Sequence, residues 1–204
     1  MEPIPTKTGT TTLGIICSDG VVIAADRKAT AYYVDSRNEK KVHPLNDRIV
    51  VTTAGAVGDL QFLVRIMKAE IALYEIREGL IPVESATTLL SNIMHSNRYY
   101  PFYAQILIGG YDDQPHLFSV DAWGGAVSGE NIFVTGSGGP IALGLLEAEY
   151  KEGMSCKDAA ILAARAIRTA RERDPYSGGK GLDIAIVDKN GIRMLTQEDI
   201  EKLR

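Results

Sequence analysis

The strongest constraint on this chain is an ordered change in the period of its apolar residues. Stretches of strand-like sequence alternate twice with pairs of amphipathic helical sequence, and strands return at the end. Thr11–Cys17 and Val21–Asp26 are β-rich runs joined by Ser18-Asp19-Gly20, an Asp-Gly turn signal for a hairpin. Arg48–Ala54 is a third such run and ends at Gly55. Leu60, Leu63, Val64, Met67, Ile71 and Tyr74 then fall on one helix face, and Pro82 opens a second helix with Val83, Ala86, Leu90 and Met94 on its face. Strands are expected again at Ala104–Gly109, Leu117–Asp121 and Asn131–Thr135, followed by helices over Pro140–Lys151 and Cys156–Arg173. Ser155 and Asp158 form a partial capping box for the last of these, ahead of an Ala159, Leu162, Ala163, Ala166, Ala170 stripe. Leu182–Asp188 and Ile192–Leu195 close as a hairpin across Asn190-Gly191, and a short polar helix follows. The economical packing of this order is two stacked sheets with a helical layer outside each.

Composition narrows the class without naming a chemistry. With 204 residues, no repeat and no linker-like stretch, one domain is expected. A net charge of -4 with both signs scattered gives no basic footprint for nucleic acid. No apolar run reaches the roughly 20 residues of a membrane helix, and the first residues lack a signal peptide's apolar stretch. Cys17 and Cys156 are too few for a disulfide framework. A cytoplasmic protein is the expectation.

Several familiar sites are missing from the sequence. His43, His95 and His116 are isolated and no HExxH occurs, so no metal site is expected. There is no GxSxG elbow and no P-loop. Gly136-Ser137-Gly138-Gly139-Pro140 before a helix has the form of an anion-binding nest, but it lacks the Lys and Ser/Thr of a nucleotide loop. A tight strand-to-helix turn explains it better. The sharper feature is Gly9-Thr10-Thr11-Thr12-Leu13-Gly14, three threonines directly after a glycine and a short leader. Alone, the triplet reads as the start of an edge strand.

Its company changes that. GTTTLG, VVIAADRKAT, EKKV and TTAGAVGD, followed by TGSGGP and RDPYSGG, resemble the proteasome β-subunit family in order and spacing. The similarity runs from about Gly9 to about Gly181, and the short leader resembles archaeal β subunits. The resemblance implies an α+β, four-layer αββα sandwich of two stacked antiparallel sheets, the N-terminal-nucleophile hydrolase fold. It implies residues 1–9 as a propeptide removed by autocleavage between Gly9 and Thr10, and residues 10–204 as the single hydrolase domain. The activity implied is a threonine endopeptidase acting on unfolded polypeptides with Thr10 as nucleophile, and no cofactor.

A threonine hydroxyl needs a base to be an effective nucleophile. An α-amine (reference pKa about 7.7–8.0) is about 10–15% neutral at pH 7, against about 0.04% for a lysine near 10.4. That difference is worth about 3–4 kcal/mol. The freed Thr10 amine is therefore assigned as base, through a water, with lysine as electrostatic partner; direct proton abstraction by the lysine stays open. Lys40 and Lys41 are neighbours, so only one points inward, and the family's KK pattern selects Lys41. Asp26 is expected to pair with Lys41 and keep it charged.

The resemblance also gives Gly55 the oxyanion-hole N–H and makes Ser137, Asp174 and Ser177 supporting residues around the nucleophile. Where many relatives have GSGS, this chain has Gly139. Substrate is expected as an extended strand reached through Thr30, Gly55 and Val57, with Ala29, Thr53, Val57 and Gln61 lining the pocket for the residue before the cut. With no charge at Thr53, uncharged apolar residues are expected there. Assembly is implied as a seven-membered β ring stacked with α-subunit rings in a 28-subunit barrel, served by a regulatory ATPase, with no nucleic acid and no membrane. The alternative is a structural or weakly active β-type subunit that is not processed. More distant alternatives are a bacterial ATP-dependent peptidase without an α ring, and a non-enzymatic anion-binding module built on GSGGP.

Overall fold

A computed structural model of the chain describes residues 9–30 and 34–203. β1 (Thr12–Ile16) and β2 (Gly20–Asp26) form the hairpin that the Asp-Gly turn predicts, with Thr12 opposite Ala25 and Ile16 opposite Val21. A two-stranded ribbon of β3 (Ala29–Thr30) and β4 (Val34–Ser36) follows, then β5 (Val42–Pro44) and β6 (Ile49–Gly55). Helices α1 (Val57–Glu78) and α2 (Val83–Ser96) come next. The chain returns through β7 (Ala104–Tyr111), β8 (Pro115–Val120), β9 (Ala126–Val127) and β10 (Ile132–Thr135). It finishes with α3 (Gly139–Glu149), α4 (Cys156–Arg173), β11 (Leu182–Asp188), β12 (Gly191–Met194) and α5 (Gln197–Lys202).

The strands form two five-stranded antiparallel sheets, ordered β10-β1-β2-β11-β12 and β5-β6-β7-β8-β9. They stack face to face through Val21, Ile23, Val42, Val50, Leu117 and Val187, which alternate in sequence so that one face of each strand meets the other sheet. The opposite face of the first sheet is covered by α3 and α4, through Leu146, Leu162, Ala163, Ala166 and Ile167 against Leu13, Val22 and Ile184. The alanine stripe of α4 lets that helix lie close to the sheet. α1 and α2 cover the second sheet, with Leu63, Met67, Ile71, Leu90 and Met94 against Ile49, Ile106 and Ile108. This is the four-layer sandwich expected from the order of periods.

Differences from the sequence reading have local causes. β3, β4, β5 and β9 were not anticipated, because two or three residues are too few to show an alternation. Tyr74 lies half-exposed rather than in the core, and Leu73 and Ile76 of α1 also face outward. β1 is an interior strand between β10 and β2, not an edge. Ser155 accepts from the Asp158 N–H without the reciprocal bond, whereas Thr196 and Asp199 complete a full capping box on α5. The leader expected over residues 1–9 falls outside the described residues except for Gly9. Among the described residues, no helix is long and apolar enough to cross a membrane.

Candidate active site

Thr10 precedes β1 and is buried at the point where both sheets and the loop after α4 converge. Its Oγ1 donates to the carbonyl of Gly9 (2.7 Å) and accepts from Lys41 Nζ (2.8 Å). Lys41 enters from the residue before β5, while Lys40 stays exposed. Lys41 Nζ also donates to Asp26 Oδ1 (2.7 Å) and to the carbonyl of Lys28 (2.6 Å). Three close acceptors use all three ammonium protons, so in this arrangement Lys41 is a donor with no lone pair free for the hydroxyl. Burial pushes the Lys41 pKa below 10.5, and the adjacent Asp26 opposes that shift.

Asp26, at the end of β2, is fully buried. Its Oδ1 also accepts from the Thr11 N–H (3.1 Å), and its Oδ2 accepts from the N–H groups of Gly178 (2.6 Å) and Lys28 (3.3 Å). The carboxylate thus receives four donors, one of them cationic. Behind Lys41 stands a second pair not anticipated from sequence. Asp183 accepts from the Lys41 N–H (3.4 Å) and bridges to Arg27 (2.6 Å), fixing the backbone from which Lys41 projects.

The nitrogen of Thr10 has its own surroundings. Its N–H donates to Ser137 Oγ (3.2 Å), and Ser137 donates to Asp174 Oδ2 (2.6 Å). Ser177 Oγ donates to the same oxygen (2.6 Å) and meets Thr11 Oγ1 at 2.6 Å. Since the single Ser177 proton points to Asp174, Thr11 is the donor in that pair. The N–H of Gly138 donates to the Thr10 carbonyl (3.2 Å). The GSGGP turn is thus engaged in holding Thr10 rather than left open to an anion. Gly139 opens α3 and packs near Val134, and the missing hydroxyl leaves none of these bonds unmade.

Glycine is demanded by geometry at both Gly55 and Gly9. Gly55 ends β6 with φ of 142°, and a Cβ there would lie 2.0 Å from the Tyr103 carbonyl. The protein's own backbone therefore excludes any side chain at Gly55, a different reason from the substrate approach expected from sequence. At Gly9, a Cβ would meet Tyr176 Cβ at 1.6 Å.

A cleft of about 560 Å³ opens beside Thr10 and is lined by Ala29, Thr30, Thr53, Val57 and Gln61. Gly55, also expected along the substrate strand, lines a neighbouring cavity instead. His43 and Arg65 line the cleft too, and both were missed. The signal for His43 was available: it lies two residues beyond Lys41, so the two share a face of an extended segment. Burial pushes the His43 pKa below 6.5 and Lys68 adds to that effect, leaving the ring neutral at pH 7. Among the described residues, no group of three or more His, Cys, Asp or Glu is placed to hold a metal ion.

Comparison with known proteins places the chain in a family. A family model described as "Proteasome subunit" matches residues 6–187. The chain is 46% identical over 202 residues to "Proteasome subunit beta" of Methanocaldococcus vulcanius, covering 97% of this chain and 90% of that protein. It is 47% identical over 206 residues to "Proteasome subunit beta" of Methanospirillum hungatei, covering 100% and 98%. With "Proteasome subunit beta" of Methanococcus aeolicus the identity is 44% over 199 residues, covering 96% and 91%. The family match spans most of the chain, and the chain belongs to the proteasome subunit family.

Proposed function

We propose that the chain is a catalytic β subunit of a proteasome core and a threonine endopeptidase with Thr10 as its nucleophile. The observation that carries this is the single hydroxyl shared between Lys41 Nζ and the carbonyl of Gly9, the bond proposed for cleavage. Attack of Thr10 Oγ1 on the Gly9 carbonyl carbon forms a C–O bond while the C–N bond breaks. The proton lost by the hydroxyl ends on the departing nitrogen. Water then hydrolyses the ester, releasing residues 1–9 and leaving a free α-amine on Thr10. Lys41, 3.5 Å from the Gly9 oxygen, offers positive charge to the oxyanion of that step.

In the mature subunit the roles divide. The Thr10 amine takes the hydroxyl proton through a water, and Lys41, kept charged by Asp26, lowers the cost of the resulting alkoxide. The Gly55 N–H stabilises the oxyanion of a bound peptide. Ser137, Asp174 and Ser177 orient the amine. The residue before the cut enters the cleft at Thr53, Val57 and Gln61, and with no charge at Thr53 an uncharged apolar side chain is favoured there. Assembly follows the family: seven-membered β rings stacked with α rings in a 28-subunit cytoplasmic barrel, fed with unfolded polypeptide by an ATPase.

Intact mass after co-assembly with an α partner tests this reading. Loss of residues 1–9 by the native chain, with retention by Thr10→Ala, is the expected result. Full mass in an assembled particle would replace it with an unprocessed, structural subunit, because a Thr10 nitrogen still in an amide has no lone pair to act as base.

A further inference from the structure

A second cavity of about 560 Å³ meets the cleft at Gly9, and nothing in the chemistry above uses it. Gly55 and Ser137 bound its inner side, and Phe102, Tyr103, Trp123 and Tyr176 contribute its aromatic lining. Among the described residues none that lines it is charged, whereas Asp35, Glu39, Lys40, Lys41 and Arg65 all border the first.

This aromatic lining is held in place from three separate parts of the chain. Phe102, ahead of β7, stacks on Phe62 of α1 at 5.7 Å between ring centroids. Trp123 follows β8, and its N–H donates to Asp121 Oδ1 (2.8 Å). Tyr176 is tied by its N–H to Asp174 (3.2 Å), the carboxylate that also holds Ser137. Trp123 and Tyr103 remain 61% and 49% exposed, so apolar ring surface is left for a ligand to cover.

Direction follows from the reaction. With the residue before the cut in the first cavity, its carbonyl carbon lies at Thr10 Oγ1 and its oxygen points to Gly55. The chain beyond that carbon leaves on the far side of Thr10, where the second cavity opens. We propose that this cavity is the subsite for the residue directly after the scissile bond and that it selects large aromatic side chains. The proposal rests on Thr10 being the nucleophile. Recognition is by ring-on-ring contact and apolar burial, so acidic and basic residues are rejected for want of a partner.

Competition between water and added amines for the acyl-enzyme isolates this subsite. An amine attacks the ester carbon, the C–N bond forms, the C–Oγ1 bond breaks, and the amine's proton returns to Oγ1. The attacking amine occupies the place from which a leaving amine departs. The assembled, processed particle would be given one peptide substrate with phenylalaninamide, tryptophanamide, glycinamide or aspartic acid amide, and transfer would be measured against hydrolysis. The aromatic amides should exceed glycinamide by at least about tenfold in that ratio, and the aspartic acid amide should not exceed it. Trp123→Ala and Tyr103→Ala should each lower the aromatic advantage by about fivefold. Equal ratios across the amides, or an aromatic advantage untouched by both variants, would overturn the subsite while leaving Thr10 in place. An assembled particle that neither hydrolyses substrate nor loses its leader would overturn the Thr10 reading, and this one with it.

Discussion

Asp26 and Asp174 are both buried within the same small site, but their surroundings differ in kind. Asp26 faces a cation, with Lys41 Nζ at 2.7 Å and three backbone N–H groups completing its shell. Among the described residues Asp174 receives only neutral donors, the hydroxyls of Ser137 and Ser177 and the Tyr176 N–H. The first arrangement fixes charge beside the Thr10 hydroxyl, and the second fixes direction at the Thr10 nitrogen. Nucleophilic catalysis by a threonine that carries its own base needs both, on opposite sides of one residue. Loss of charge should therefore cost more than loss of direction.

The sharpest break comes on the charged side. Lys41→Ala should reduce peptidase activity by about 10³-fold or more, because it removes a preorganised positive charge and leaves Asp26 buried without its cation. Thermal unfolding of the variant measures how much of that loss is structural. Asp26→Asn comes next, at about 10²-fold, and it also carries a pH signature. Burial lowers the Lys41 pKa from 10.5 and Asp26 opposes that effect. Activity that needs the ammonium should fall as pH rises through this lowered value, earlier than for an ordinary lysine. Removing Asp26 should move that alkaline limb to still lower pH, and an unmoved limb would remove Lys41 from the reading.

Stability from the same group runs the other way. Folded Lys41 binds its proton less tightly than the unfolded chain does, so between the lowered value and 10.5 the unfolded state holds more protons. Stability rises with pH across that window and is lost as pH falls through the folded value.

On the directional side, Asp174→Asn should cost about 10–100-fold, the range for a hydrogen bond to a charged group. Ser177→Ala should cost about 3–10-fold, with Thr11 left to reorient. Both should act on kcat with little change in KM, and a KM effect equal to the kcat effect would place them in substrate binding instead. Gly9→Ala tests the same loop through maturation. Its Cβ would be driven into Tyr176, so mass spectrometry should find leader loss slowed, while a chain produced with Thr10 as its first residue keeps full activity.

Much of this was legible in the sequence because it depends on local spacing. The 3.6-residue period of Val83, Ala86, Leu90 and Met94 predicted α2, and all four are buried. The choice of Lys41 over Lys40 came from the KK motif together with strand alternation, and only Lys41 is buried. Thr11, Tyr176 and Asp183 were missed, as were the Lys28 carbonyl and the second cavity. Thr11 and Ser177 meet across 166 residues, and Gly178 reaches Asp26 across 152, so no window on the sequence contains either pair. The demand for glycine at Gly55 comes from the Tyr103 carbonyl just before β7, which no motif reveals.

The sequence by itself determined the order of strands and helices, the layering that order requires, and the residue types able to perform acyl transfer. Those follow from periodicity and from side-chain chemistry, which are properties of neighbours along the chain. Tertiary structure alone decided that Asp183 stands behind Lys41 and that the Lys28 carbonyl takes one of its protons. It also decided that Lys41 has no spare lone pair in this arrangement, and that two cavities of opposite character meet at Gly9. These depend on which distant segments the stacked sheets bring within hydrogen-bond reach, and electrostatic and packing energies are set by distance in space.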